Sequence, residues 1–214
     1  MEVKKIINTS KGPIKFEEKE FQYGVKTINK KIAKKNLIDF KKIMEKNNIE
    51  FILGYGSLLG AIRENDFISY DEDVDVLILD KNKKKFLESL FDLIDIGFEV
   101  GRYDGELLSI MRNGEYIDIY FFRKGTLGYL INKGDKVKEK FLYETMKYEF
   151  LGEVFTIPKD YEGYLKYYYG DNWRIPIKNF HAPQKRFYER VRAFLRKYPL
   201  VFSILSKVKK YVKN

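Results

Sequence analysis

Four carboxylates stand within five positions of the segment SYDEDVDVLIL, at residues 69–79. They are Asp71, Glu72, Asp73 and Asp75. Alternate residues of a strand share a face, which places Asp73 and Asp75 together where the apolar run 76–79 begins. Like charges at the start of a buried strand repel one another, and their removal from water is costly. A hard divalent cation, Mg²⁺ or Mn²⁺, would offset both effects, with Asp71 as a third ligand.

A further aspartate, Asp118, interrupts the apolar segment YIDIY at 116–120, where an unpaired charge would be expensive. If this segment forms a strand beside 74–79, Asp118 joins the same site. There it would serve as a further metal ligand or as a general base.

The upstream segment Gly54-Tyr55-Gly56-Ser57 predicts a glycine turn between a strand and a short helix, with Ser57 as the N-cap. Backbone N–H groups and the helix dipole favour a phosphate at such a turn, so Gly56 and Ser57 are predicted to bind a donor phosphate. A phosphate turn beside a carboxylate-held metal is typical of a phosphoryl or nucleotidyl transfer centre. For Asp71 and Glu72 taken alone, a solvated acidic turn explains the sequence equally well.

The remaining periodicity predicts the elements that must position these groups. Helical spacing marks 36–47, 83–94 and 161–169, and strand character marks 49–53, 74–79, 98–103, 107–112, 116–122, 127–131 and 154–157. Asp104-Gly105 and Asn113-Gly114 predict hairpin turns. The prediction is an α/β (α+β) domain over residues 1–183, a mixed sheet flanked by helices.

The charge is concentrated at the carboxyl end. The chain has 214 residues, no cysteine and a formal net charge of +10, and residues 184–214 carry ten basic side chains against one acidic. Two amphipathic stretches interrupted at Pro199 predict a helical tail that either docks on an anionic membrane surface or packs on the domain. With no apolar leader and no run of membrane-spanning length, a cytoplasmic location is expected, peripheral on the inner face of the plasma membrane.

Four ordered motifs resemble those of the LicD family and cover about residues 35–180. They are GYGSLLGAIR at 54–63, FISYDEDVDV at 67–76, YIDI at 116–119, and YL at 164–165 with YGDNW at 169–173. Ser69-Tyr70 and Glu72 replace the Pro-Trp and Asp usual in the second motif, and Ser57 stands where threonine is frequent.

The resemblance implies a nucleotidyltransferase-like fold and the transfer of phosphocholine, or a similar phospho-substituent, from a CDP-linked donor to a sugar hydroxyl. The acceptor would belong to lipopolysaccharide, capsule or teichoic acid, free or lipid-linked. Carried over by position, Asp71, Asp73, Asp75 and Asp118 match the acidic positions, and Gly56, Ser57 and Arg63 match the donor-phosphate positions. Arg63 has a second explanation, a surface ion pair with Glu64 or Asp66.

Two other functions fit the same residues. A true nucleotidyltransferase of the same fold would release pyrophosphate, and a non-enzymatic module would bind a membrane or nucleic acid through the basic tail. The carboxylate cluster has no purpose in the second, so nucleic acid is not an expected partner. His181, the single histidine, is expected to be structural, and contact with the substrate is the alternative.

Overall fold

The computed structural model describes residues 4–21 and 27–176. The helices are α1 (Lys30–Lys46), α2 (Tyr55–Arg63), α3 (Lys83–Asp95), α4 (Lys140–Tyr143) and α5 (Tyr161–Tyr169), with a 3₁₀ turn at Asp80–Asn82. The strands are β1 (Lys4–Thr9), β2 (Gly12–Glu17), β3 (Ile52–Leu53), β4 (Val74–Leu79), β5 (Glu99–Tyr103), β6 (Leu107–Arg112), β7 (Glu115–Lys124), β8 (Tyr129–Asn132), β9 (Asp135–Lys138), β10 (Thr145–Phe150) and β11 (Glu153–Pro158).

The central sheet is mixed. Its strand order is β3-β4-β7-β6-β5, and β8 with β9 extends from the end of β7. β4 runs parallel to β7, whereas the other pairs are antiparallel. Two further hairpins, β1-β2 and β10-β11, form separate two-stranded sheets. The mixed sheet with flanking helices predicted from the sequence is confirmed.

Apolar stripes of α1 and α3 form the core beside the sheet. On α1, Leu37, Phe40 and Met44 are fully buried, as the spacing predicts. On α3, Phe86 is fully buried and its ring packs edge-on to that of Phe121 on β7, at 5.5 Å between centroids. This contact supports the strand that carries Asp118 from the side opposite the polar residues of the site.

Most element bounds agree with the prediction, and three differences have clear causes. Helix α1 begins six residues early, because the side chain of Asn29 caps it by accepting from the Ile32 amide at 3.2 Å. The predicted strand at 49–53 shortens to β3, whose two residues pair with β4. Helix α2 begins at Tyr55 with Gly54 as its N-cap, so the prediction of Ser57 as N-cap is wrong.

The described residues fall into two compact units, one ending at Tyr164 and the next beginning at Leu165. In the second unit Trp173 is buried and its ring is covered by the guanidinium of Arg174, at 4.2 Å. The predicted tail, 184–214, and His181 lie outside the described residues, so the boundary at 183 stays a prediction. Among the described helices, none is long and apolar enough to cross a membrane.

Candidate active site

The parallel pair of strands β4 and β7 brings two of the predicted aspartates together. Asp75 and Asp118 are register partners across this pair. Both are buried, with exposed fractions of 7% and 2%. The condition set by the sequence, that the strand carrying Asp118 lies beside 74–79, is therefore met.

Three hydrogen bonds that involve Asp75 join the start of α2 to β4. The Gly54 amide donates to the Asp75 carbonyl at 3.2 Å, and the Gly56 amide donates to Asp75 Oδ2 at 3.0 Å. In return the Asp75 amide donates to Ser57 Oγ at 2.8 Å, inside the core. The anion at the N-terminus of this helix is thus the protein's own carboxylate, which satisfies an amide that helix geometry leaves without an intrahelical partner.

Gly56 is the point at which two carboxylates converge. A Cβ at this position would lie 2.3 Å from Asp71 Oδ2 and 3.3 Å from Asp75 Oδ2. The first distance is a clash, so any side chain here would displace Asp71. The missing side chain of Gly56, rather than its backbone freedom, allows the close approach of these oxygens.

Asp118 lies within a network that sequence reasoning missed. Ser109 Oγ on β6 donates to Asp118 Oδ1 at 2.5 Å, and Arg102 Nη2 on β5 donates to Asp118 Oδ2 at 2.9 Å. Arg102 Nε also donates to Ser109 Oγ, at 3.1 Å, and the Tyr120 hydroxyl donates to Asp118 at 3.4 Å. The hairpin turns predicted at 104–105 and 113–114 indicate that β5, β6 and β7 are neighbours, but they do not show which side chains of these strands meet.

Burial and mutual repulsion make these carboxylates hard to ionise. Burial, followed by the charges of Asp71 and Asp118, holds the pKa of Asp75 well above its usual range. Burial, then Asp75, raises the pKa of Asp73 in the same way. Burial raises the pKa of Asp71 to about 6, and that of Asp118 rises as well although Ser109 and Arg102 oppose the shift. The site is therefore short of positive charge.

The donor set fits a hard divalent cation. Among the described residues, Asp71, Asp73, Asp75 and Asp118 offer carboxylate oxygens, the ligands that Mg²⁺ and Mn²⁺ prefer. Asp71 and Asp75 already reach one point beside Gly56, and Asp73 lies within range of the charges of Asp75, Asp118 and Asp71. As the side chains stand, no group of three or more Asp, Glu or His residues in 4–21 and 27–176 is arranged to hold a metal ion.

Arg63 lies close to the cluster and is already paired. Its Nη2 contacts Glu64 Oε1 at 2.7 Å and the Tyr70 hydroxyl at 3.3 Å, and its side chain is 8% exposed. The ion pair with Glu64 expected as the second explanation is thus present. The guanidinium charge of Arg63 lowers the pKa of Asp71, against the larger effect of burial, which raises it. Arg63 therefore lies beside the acidic motif.

Tyrosines form one wall of the site. The rings of Tyr55 and Tyr120 meet edge-to-face at 4.9 Å between centroids. The Tyr55 hydroxyl donates to Asp135 on β9 at 2.6 Å, and the Tyr55 amide lies 3.4 Å from the Tyr164 hydroxyl. These contacts fix the start of α2 against β9 and α5.

Asp75 and Asp118 therefore lie together on parallel strands beside the first turn of α2. The family described as "LicD/FKTN/FKRP, nucleotidyltransferase domain" matches residues 48–160, more than half of the chain. The chain belongs to this family.

Relatives among characterised proteins agree with that assignment. Ribitol-5-phosphate transferase FKTN of Homo sapiens is 28% identical over 164 residues, which cover 71% of this chain and 35% of that protein. Lipopolysaccharide cholinephosphotransferase LicD of Haemophilus influenzae is 37% identical over 57 residues, 26% of this chain and 22% of that protein. The match to the FKTN proteins covers most of this chain. It covers only about a third of the length of those proteins.

A solved structure shares the fold at low sequence identity. The antibiotic-resistance factor ANT(2'')-Ia, in a solution structure, superimposes with a TM-score of 0.50 and 10% identity, over 86% of this chain and 96% of that one. This likeness bears on the fold alone.

Proposed function

We propose that the chain is a cation-dependent transferase that moves a phospho-substituent, such as phosphocholine or ribitol phosphate, from a CDP-linked donor to a sugar hydroxyl of a cell-surface glycan. The glycan would be lipopolysaccharide, capsule or teichoic acid. The observation that carries the proposal is the placement of Asp75 beside Asp118 on parallel strands, with Asp71 converging on Gly56. Membership of the family, whose named relatives transfer ribitol 5-phosphate and choline phosphate, supports the choice of substrate class.

The candidate residues of the site have roles in binding the cation and the donor. Asp71, Asp73 and Asp75 would hold Mg²⁺ or Mn²⁺, which when bound neutralises the charge of the donor diphosphate. Gly56 and Ser57 would act on the donor phosphate through Asp75, because the Gly56 amide donates to the Asp75 carboxylate and the Ser57 hydroxyl accepts from the Asp75 amide. Arg63 lies near enough to Asp71 to supply a further positive charge to the donor.

The chemistry is an exchange at phosphorus. The acceptor hydroxyl oxygen forms a bond to the phosphorus of the transferred group, and the bond from that phosphorus to the bridging oxygen of CMP breaks. CMP leaves with the electron pair. Asp118, which is buried and has a raised pKa, is suited to accept the hydroxyl proton or to act as a further metal ligand.

Release of CMP tests the proposal. The full chain is incubated with CDP-choline or CDP-ribitol and a soluble glycan acceptor, with Mg²⁺ or with EDTA, and CMP is measured. We expect CMP only with Mg²⁺ and only when acceptor is present. Pyrophosphate released from a nucleoside triphosphate under the same conditions would instead indicate a nucleotidyltransferase. Salt-sensitive nucleic-acid binding with no turnover would indicate a non-enzymatic module.

The basic segment 184–214 supports a second part of the proposal, docking of a cytoplasmic enzyme on the inner face of the plasma membrane. Each basic residue near an anionic surface contributes on the order of 1 kcal/mol, and apolar side chains add a salt-resistant part. The full chain should co-sediment with phosphatidylglycerol vesicles and not with phosphatidylcholine vesicles. Removal of 199–214 should abolish sedimentation and spare turnover of a soluble acceptor, whereas an unfolded truncation would place the tail in the core.

A further inference from the structure

A row of four polar residues crosses the sheet on one face. Register partners run from Arg102 on β5 to Ser109 on β6, then to Asp118 on β7, and finally to Asp75 on β4. Hydrogen bonds join the first three, from Arg102 to Ser109 at 3.1 Å and from Ser109 to Asp118 at 2.5 Å. The positive end of this row therefore lies three strands away from the acidic motif, with β6 and β7 between them.

A β-bulge determines that Arg102 belongs to the row. The register of β5 against β6 shifts between Val100 and Arg102, so Gly101 is the extra residue. In an unshifted register Gly101 would pair with Ser109, and Arg102 would pair with Leu108 and lie on the other face, away from Asp118. The Gly101 carbonyl accepts from the Lys19 amide at 2.8 Å, which holds the bulge against the amino-terminal segment.

The guanidinium is also fixed on its other side. It lies 4.6 Å from the ring centroid of Phe21, and the Arg102 side chain is 18% exposed. With Nη2 on Asp118 and Nε on Ser109, the head of Arg102 is held by three groups. An arginine fixed in this way loses little further entropy when it pairs with a carboxylate.

We propose that Arg102 is the resident counter-ion of Asp118, taking the place of a second metal ion, so that the chain binds a single divalent cation through Asp71, Asp73 and Asp75. The inference rests on the proposed cation-dependent transfer and assigns Asp118 to the acceptor side of the site rather than to the metal. Asp118 is paired with a basic side chain, the Arg102 guanidinium, at 2.9 Å. A dication at Asp118 would have to displace or tolerate that guanidinium at short range, which like charges oppose.

Binding of Mn²⁺ to the full chain without nucleotide tests the assignment by calorimetry and by the EPR signal of free Mn²⁺. We expect one Mn²⁺ per chain, a loss of affinity of at least tenfold in Asp75→Asn, and a change of less than twofold in Asp118→Asn. Arg102→Gln should bind a second Mn²⁺, and the double variant with Asp118→Asn should return to one. Arg102→Lys keeps the charge and should stay at one, as should the control Arg123→Gln, whose ion pair with Glu106 lies outside the row.

Three results would overturn the assignment. They are an equal loss of Mn²⁺ affinity in Asp118→Asn and Asp75→Asn, two Mn²⁺ ions in the wild type, and no Mn²⁺ bound at all. The Asp118→Asn comparison decides the matter even if Arg102→Gln fails to fold, as judged by its thermal unfolding. Mn²⁺ binding is measured independently of turnover. One bound Mn²⁺ per chain without CMP release from any donor would refute only the proposed transferase function. CMP release with two bound Mn²⁺ ions would refute only this inference.

Discussion

The amide of Asp75 donates to the hydroxyl of Ser57 at 2.8 Å, and the amide of Gly56 donates to the carboxylate of Asp75 at 3.0 Å. This reciprocal pair connects the first turn of α2 to the second residue of β4. The orientation of the buried carboxylate is therefore set by two main-chain groups and one hydroxyl.

Ser57→Ala should destabilise the fold. Ser57 is 1% exposed, and the substitution leaves the buried amide of Asp75 without its acceptor. We expect a loss of about 1–3 kcal/mol in the free energy of unfolding, measured by urea denaturation. Ser57→Thr retains the acceptor oxygen and should lose less than half as much. Equal losses in the two variants would show that packing, and not this hydrogen bond, sets the requirement at 57.

Asp75→Asn and Asp73→Asn should lower turnover at least ~100-fold, because each removes a charge from the set that would hold the cation. Without metal both variants should unfold at or above the wild-type temperature, since they relieve the repulsion that raises these pKa values. Asp92→Asn on α3 is a matched control, because Asp92 bonds Lys46 and Asn47 on α1. Near wild-type CMP release by either site variant would make the pair structural.

Gly56→Ala should weaken Mn²⁺ binding at least tenfold while the melting temperature changes little. The added methyl would stand 2.3 Å from Asp71 Oδ2, the end of a side chain that can move away. Asp71→Asn should show a comparable loss, and the double variant should lose little more, because both changes act on one carboxylate. Fully additive losses in a calorimetric titration would contradict this account.

The metal-free protein should become less stable as pH rises from about 4 through about 6. The pKa of Asp71 is about 6 in the folded chain and about 3.9 in an unfolded one, so the folded state holds its proton longer. Stability from this group is complete below the unfolded value and is lost as pH passes the folded value. Urea denaturation in EDTA should show a steeper decline for wild type than for Asp71→Asn, and parallel curves would contradict the prediction.

Local patterns were sufficient for much of the fold. The bounds of β4, β6 and α5 agree with the prediction, because alternation and helical spacing are read within a few residues. Asn113-Gly114 forms the expected hairpin turn with positive φ at both residues, 54° and 78°. The single charge in the apolar strand at 116–120 indicated that Asp118 joins the site if this strand lies beside β4, and the structure shows that it does.

Other features depend on distant segments and leave no local signal. The β1-β2 hairpin was not predicted from its mixed sequence, and α4 is only four residues long. The ion pair of Arg102 with Asp118 requires the register of three strands and a bulge at Gly101. Ser57 looked like an N-cap because the helix start was placed three residues late, and the hydrogen-bond partner of its hydroxyl, the Asp75 amide, belongs to the distant strand β4.

The parallel pairing of β4 with β7 also has a consequence for the order in which the chain folds. Antiparallel neighbours such as β6 and β7 are joined by a tight turn and can pair as soon as both exist, whereas β4 must wait for α3, β5 and β6 to complete the crossover. Contacts between distant segments form more slowly than local ones. In a refolding experiment followed by hydrogen exchange, amides of the β6-β7 hairpin should gain protection first, and Asp75 should meet Asp118 in a later, slower phase.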